Sequence, residues 1–156
     1  MIRRTARLSF TPAVFYKDPM AALAWLEKAF GYETTMLIEP PGDDPTMMHA
    51  EMSLAGKGRV MVGAEWSEWA KSPASVGGAN TANVHVELDT EVDAHCERAR
   101  QAGAVIEMEP ADQFYGARTY RARDWEGHVW TFAQTIREVS REEAERVSGL
   151  KITGWV

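Results

Sequence analysis

Asp18-Pro19-Met20-Ala21-Ala22-Leu23-Ala24-Trp25-Leu26-Glu27-Lys28-Ala29-Phe30-Gly31 decides the fold, because the chain repeats its plan seventy-two residues later. The second copy runs Thr90-Glu91-Val92-Asp93-Ala94-His95-Cys96-Glu97-Arg98-Ala99-Arg100-Gln101-Ala102-Gly103. Each stretch opens on a polar residue suited to cap a helix and closes on a glycine suited to the left-handed turn that ends one. The first adds proline at the first helical position and a stripe of Ala22, Trp25, Leu26 and Ala29. The ends of the two halves also echo, Gly58-Arg59-Val60-Met61-Val62 against Gly127-His128-Val129-Trp130-Thr131. A duplicated module predicts a site between the copies, at matched positions.

Around each helix lie extended segments. In the first half, 8–16 reads as a strand with Pro12 marking an edge, then 34–38, 47–54 and 59–64 as three more. Glu39-Pro40-Pro41-Gly42-Asp43-Asp44-Pro45 is a turn-rich loop. In the second half Val84, Val86 and Leu88 alternate with His85 and Glu87, a helix follows over 91–102, and strands are expected at 105–108, 117–122 and 128–133. Both halves read βαβββ. The domain organisation is a first module over 1–70, a Ser/Pro/Gly-rich linker over 71–82, a second module over 83–135 and a helical tail over 136–156, all one structural domain of α+β class. The tail carries the capping box Ser140-Arg141-Glu142-Glu143, and Leu150, Ile152 and Trp155 suggest a docked end.

Composition bounds the function. The 156 residues, 45% apolar, suffice for one packed core, and no run approaches the roughly 20 apolar residues of a membrane span. The start is basic and lacks the apolar block of a secretion signal. The lone Cys96 excludes an internal disulfide, suits a reducing cytoplasm and falls mid-helix as a packing residue. A net charge of −6 argues against nucleic acid and anionic membranes and mildly favours a neutral or cationic ligand. Neither a phosphate-cradling glycine loop nor a serine or cysteine nucleophile in a recognisable setting is present.

The tandem βαβββ pattern resembles the vicinal oxygen chelate superfamily, which includes glyoxalase I, extradiol dioxygenases and bleomycin-resistance proteins. Phe15 through Gly31, Ala111-Asp112-Gln113-Phe114-Tyr115-Gly116-Ala117-Arg118, Arg123 through Trp130 and Val139 through Glu143 look most like its PhnB-like branch. The resemblance implies curled mixed sheets with helices outside and a cavity inside, and commonly a homodimer. It also implies a divalent metal held by His, Gln or Glu from the first and last strand of each module. By the family's spacing those positions are Thr11, Val62, Asn83 and Thr131, none a normal ligand for such a metal, and a register slip of one, to Phe10 or Pro12, Met61 or Gly63, Ala82 or Val84, and Trp130 or Phe132, offers nothing better. The expectation is therefore no cofactor, with His49, Glu51, His85 and Glu87 as the only candidates for a displaced metal site.

Ligand contacts are expected from Phe15, His49, Trp66, His85, Glu87, Tyr115 and Arg118. Phe15 shares the Thr11 face by alternation, Tyr115 resembles a pocket-rim loop, and Trp66 and Trp69 follow the first module's last strand. Arg118 either orients an anionic group or pairs with Asp112 or Asp124. His85 and Glu87 are the acid–base suspects if the chain is a lyase, isomerase or dioxygenase. His128 is expected to bond structurally near Asp124, and His95, on a charged helix, to face solvent. Trp25 and Trp130 are expected in the core. The partner expected is a small molecule, bound in a cavity between the modules.

Overall fold

The computed structural model describes residues 10–89 and 91–155. The start of the first expected strand and the Thr90 cap lie outside them. The first module is β1 (Ala13–Tyr16), α1 (Pro19–Phe30), β2 (Tyr32–Ile38), β3 (His49–Leu54) and β4 (Lys57–Ala64). The second is β5 (Asn83–Glu87), α2 (Val92–Gln101), β6 (Val105–Asp112), β7 (Ala117–Arg123) and β8 (Val129–Thr135), followed by α3 (Arg141–Ser148). Each module makes one four-stranded mixed sheet, in the orders β1-β4-β3-β2 and β5-β8-β7-β6. In each the first strand runs parallel to the last and the other pairs are antiparallel. The duplication is thus real at the level of topology. No helix among the described residues is long and apolar enough to cross a membrane.

The helices form as their ends dictate. The Asp18 carboxylate accepts from the Ala21 N–H at 3.1 Å, Pro19 begins α1, and Gly31 closes it at φ 77°. Ala22, Leu23, Leu26, Ala29 and Phe30 are buried, and each large side chain so covered contributes roughly 1.5–3 kcal/mol. Strand β6 runs longer than 105–108, through Pro110. Proline is tolerated there because β6 is an edge strand and its ladder with β7 shifts register between Met108 and Ala111.

The modules meet through their helix-bearing faces. Phe30 packs on Trp130 and Phe132 of β8, the Trp25 indole donates to the Ala102 carbonyl at 2.8 Å, and the Arg98 guanidinium donates to the Lys28 and Glu27 carbonyls. One core therefore serves both sheets. His95 belongs to this seam, not to solvent as its charged helix suggests. Its Nε2 donates to the Phe30 carbonyl at 2.8 Å, and its Nδ1 accepts from the Tyr120 hydroxyl at 2.6 Å. It shares the inner face of α2 with Val92, Cys96 and Ala99, the buried positions of that helix.

Candidate functional site

Residues paired across a ladder point to the same side of a sheet, so the registers define the faces turned away from the helices. On the first sheet one row is Ile38, His49, Gly63 and Phe15, and the next is Met36, Glu51, Met61 and Ala13. The loop after β4 brings Trp66 and Trp69 beside Phe15. Trp69 meets Phe15 edge to face at 5.5 Å and 86°, and Trp66 meets Trp69 at 5.1 Å and 82°. With Met47, Met48, Met61 and His49 these rings line a bowl of about 530 Å³. Its lining contains no Asp, Glu, Lys or Arg. Trp66, Trp69 and Met47 remain 55%, 68% and 67% exposed, more apolar surface than folding alone requires of neighbouring side chains.

The second module fixes this bowl in place. Its β7–β8 hairpin latches onto the corner between β1 and α1. The buried Asp124 carboxylate accepts from the Tyr16 hydroxyl at 2.7 Å and the Trp130 indole at 3.2 Å. Glu126 accepts from the Lys17 and Asp18 backbone N–H groups, and His128 donates Nε2–H to the Phe15 carbonyl at 2.7 Å. The tryptophan loop is tied at its base, where the Glu65 carboxylate accepts from the Ser72 N–H and the Ala74 N–H reaches the Glu126 carbonyl. The expected linker is therefore partly built into the structure, with Ser72 and Pro73 buried.

The corresponding face of the second sheet is polar. Its rows are Met108, Arg121, Thr131 and His85, then Ala111, Thr119, Ala133 and Glu87. The Thr131 hydroxyl donates to Asn83 at 2.9 Å and accepts from Arg121 Nε at 3.3 Å. His85 and Glu87 touch at 3.3 Å, both exposed.

Comparison with known proteins settles the kinship of this arrangement. The model of the Glyoxalase/Bleomycin resistance protein/Dioxygenase superfamily matches residues 9–132. The chain belongs to that superfamily. Among solved structures, TioX from Micromonospora sp. ML1 is similar at 32% identity and a TM-score of 0.63, over 81% of this chain and 97% of that one. An uncharacterized protein of Mycobacterium bovis is 30% identical over 141 residues, 88% of this chain and 90% of its own length. TnmS3, an antibiotic binding protein from Streptomyces sp. CB03234, shares the fold at 16% identity and a TM-score of 0.62, over 85% of this chain and 99% of that one.

The superfamily's metal positions shift by one residue in the first module. Val62 pairs with Val14 on the helix side and is fully buried. Met61 is the residue beside Ala13 on the open face, as Thr131 is beside His85. The two hairpins differ in turn length, so spacing counted from their glycines does not match between the copies. The β3–β4 hairpin turns tightly at Ala55 and Gly56, with φ of 49° and 72°, whereas the β7–β8 turn is a longer loop organised by Asp124. The corrected set is Thr11, Met61, Asn83 and Thr131, a donor chemistry that does not suit a divalent transition metal. Among the described residues no three His, Cys, Asp or Glu side chains gather as a metal site, so His49, Glu51, His85 and Glu87 do not assemble one. Glu51 instead pairs with Arg59 at 3.1 Å.

Of the expected ligand contacts, Phe15, His49 and Trp66 come together in the bowl, which the first module lines alone, while His85 and Glu87 lie on the other sheet and line a separate cavity of about 490 Å³ with Lys57 and Arg59 of the first module, where a cavity between the modules is expected. Tyr115 packs on Phe114 in a separate loop and does not line the bowl. Arg118 is not free to orient a ligand, since Asp93 and Asp112 both hold its guanidinium and Asp124 does not. Trp69 and Met61 in the bowl, and Arg121 on the second sheet, extend these faces beyond the contacts expected from the sequence. Strand alternation from Asn83 reaches its own strand only, and Arg121 joins that face through the ladder to Thr131. Among the described residues Arg121 makes no ion pair.

Proposed function

We propose that this superfamily member binds a small molecule at the open sheet faces, chiefly in the bowl, without the superfamily metal, and acts as a cytoplasmic homodimer of the PhnB-like branch. The bowl carries the reading. Three aromatic rings and three methionines bordering an open cavity supply dispersion and apolar contact for a ligand, and a buried latch holds them in place. The corrected donor set supports the absence of metal chemistry. TnmS3, described as an antibiotic binding protein, supports a binding role on this fold. The dimer rests on the likeness to the superfamily alone.

A lyase, isomerase or dioxygenase acting through His85 and Glu87 has one observation in its favour, the contact between those two side chains. One experiment separates the readings. Metal content is measured on purified protein, nickel, zinc and manganese are titrated, and tryptophan fluorescence is followed. Binding without chemistry predicts no retained metal and quenching by aromatic compounds. Stoichiometric metal that disappears in His85→Ala sinks the proposal. Light scattering is expected to give twice the 17.4 kDa chain mass, and a monomer at working concentration sinks the dimer.

A further inference from the structure

We propose that the bowl selects an uncharged, flat aromatic ligand and rejects organic cations of the same skeleton. This rests on the binding reading above and adds the ligand class. The overall charge of −6 suggests a cation, and three aromatic rings side by side suggest a cage for a quaternary ammonium group. The ring geometry rules out the cage. An ammonium held between rings needs the faces set apart around it. Here the centroids are 5.1 Å and 5.5 Å apart with planes nearly perpendicular, so in each pair the edge of one ring already meets the face of the other. No space for a cation remains between them.

What remains is a broad apolar surface. Ala13 and Gly63 leave the sheet floor low beside Phe15, and a Cβ placed on Gly63 would come no closer than 3.6 Å to the Phe15 ring. Met47, Met48 and Met61 supply thioethers that adapt to a flat edge. With no carboxylate in the lining, an ammonium entering the bowl gives up hydration for no counter-charge. An anion meets only His49 there, and the negative chain as a whole opposes it.

Three probes of one skeleton test this, anthracenemethanol, anthracenemethylamine and anthracenecarboxylate, titrated by calorimetry into the full chain. The neutral probe is expected to bind about tenfold tighter than either charged one, with little dependence on salt. Gly63→Val fills the floor and Trp69→Ala strips the wall at an exposed position. Both are expected to weaken the neutral probe by about fivefold or more while the circular dichroism spectrum is kept. An amine that binds as tightly as the alcohol overturns the ligand class and leaves the binding reading standing. No binding of any probe to folded protein overturns both. Binding that neither variant changes places the ligand outside the bowl and overturns the proposal.

Discussion

Asp124→Asn tests whether the β7–β8 hairpin latches the two modules. The carboxylate is 2% exposed and receives four donors. Oδ2 takes the Tyr16 hydroxyl at 2.7 Å and the Trp130 indole N–H at 3.2 Å; Oδ1 takes the backbone N–H groups of Glu126 at 3.1 Å and His128 at 2.9 Å. An amide puts a donor where one of these oxygens stood. If its nitrogen replaces Oδ2, the Tyr16 hydroxyl can rotate and accept, but the Trp130 N–H has no such choice. If it replaces Oδ1, two backbone donors face it. The better arrangement still strands one buried N–H, at roughly 1–3 kcal/mol, and turns charge-assisted bonds into neutral ones at about 1 kcal/mol each. The expected loss is about 3–5 kcal/mol, a large share of the stability of a domain this size. Tyr16→Phe removes one donor and leaves three, so it is expected to cost about 1.5–3 kcal/mol. Burial first, then the Asp124 charge, holds the Tyr16 hydroxyl well above its ordinary pKa, so it stays a donor across the working range. Urea unfolding followed by far-ultraviolet circular dichroism reads both variants. A loss under about 1 kcal/mol for Asp124→Asn, or a larger loss for Tyr16→Phe, refutes the latch.

His95 gives a pH dependence. Burial holds its pKa below the ordinary 6.5, so the unfolded chain binds more protons as pH falls through that value, and stability drops over the interval in which pH falls from above 6.5 to below it. Urea midpoints of His95→Gln are expected to fall less over that interval, and parallel curves would contradict the assignment. Burial likewise pushes the Cys96 thiol up to about 11, so a disulfide reagent near pH 8 should label it only when the chain unfolds, and fast labelling of native protein would count against this packing. Arg118→Gln should leave the affinity of the anthracene alcohol unchanged, because its guanidinium is engaged by Asp93 and Asp112; a calorimetric loss of about tenfold would put the ligand at the Phe114–Tyr115 loop instead.

What was legible in the sequence was local. Asp18, Pro19, Gly31 and Gly103 act within a turn or two of backbone, and Gly31 and Gly103 adopt the positive φ their type favours. Alternation placed Phe15 on the open face for the same reason. Register is not local. Two hairpins of different turn length offset β4 from β8 by one residue relative to their glycines, and no feature of Arg59-Val60-Met61-Val62 reports which residue lies beside Ala13. The burial of His95 is hidden from the sequence for a similar reason. The polar neighbours of α2 conceal a narrow apolar face whose depth depends on Phe30, sixty-five residues away. The Arg118 pairings join α2, β6 and β7, so only the folded chain reveals which acid holds it.

The registers also explain how a duplicated fold can keep a cavity while changing its chemistry. Matched through the ladders, Ala13 corresponds to His85, Phe15 to Glu87, Met61 to Thr131, Glu51 to Arg121 and His49 to Thr119. In four of the five pairs the second copy carries a polar or charged residue where the first is apolar or of opposite charge. A metal shared between modules needs donors from both copies at once, so divergence of either is enough to lose it. An apolar bowl needs only one copy, and here Gly63, Met61 and Phe15 of the first module supply it with Trp66 and Trp69. Restoring donors in one module should therefore leave the site without tight metal binding. Met61→Glu with Thr11→His is expected to bind nickel no better than the natural chain. Adding Asn83→His and Thr131→Glu supplies the other half, and metal uptake on that step alone would show that donors from both copies are required.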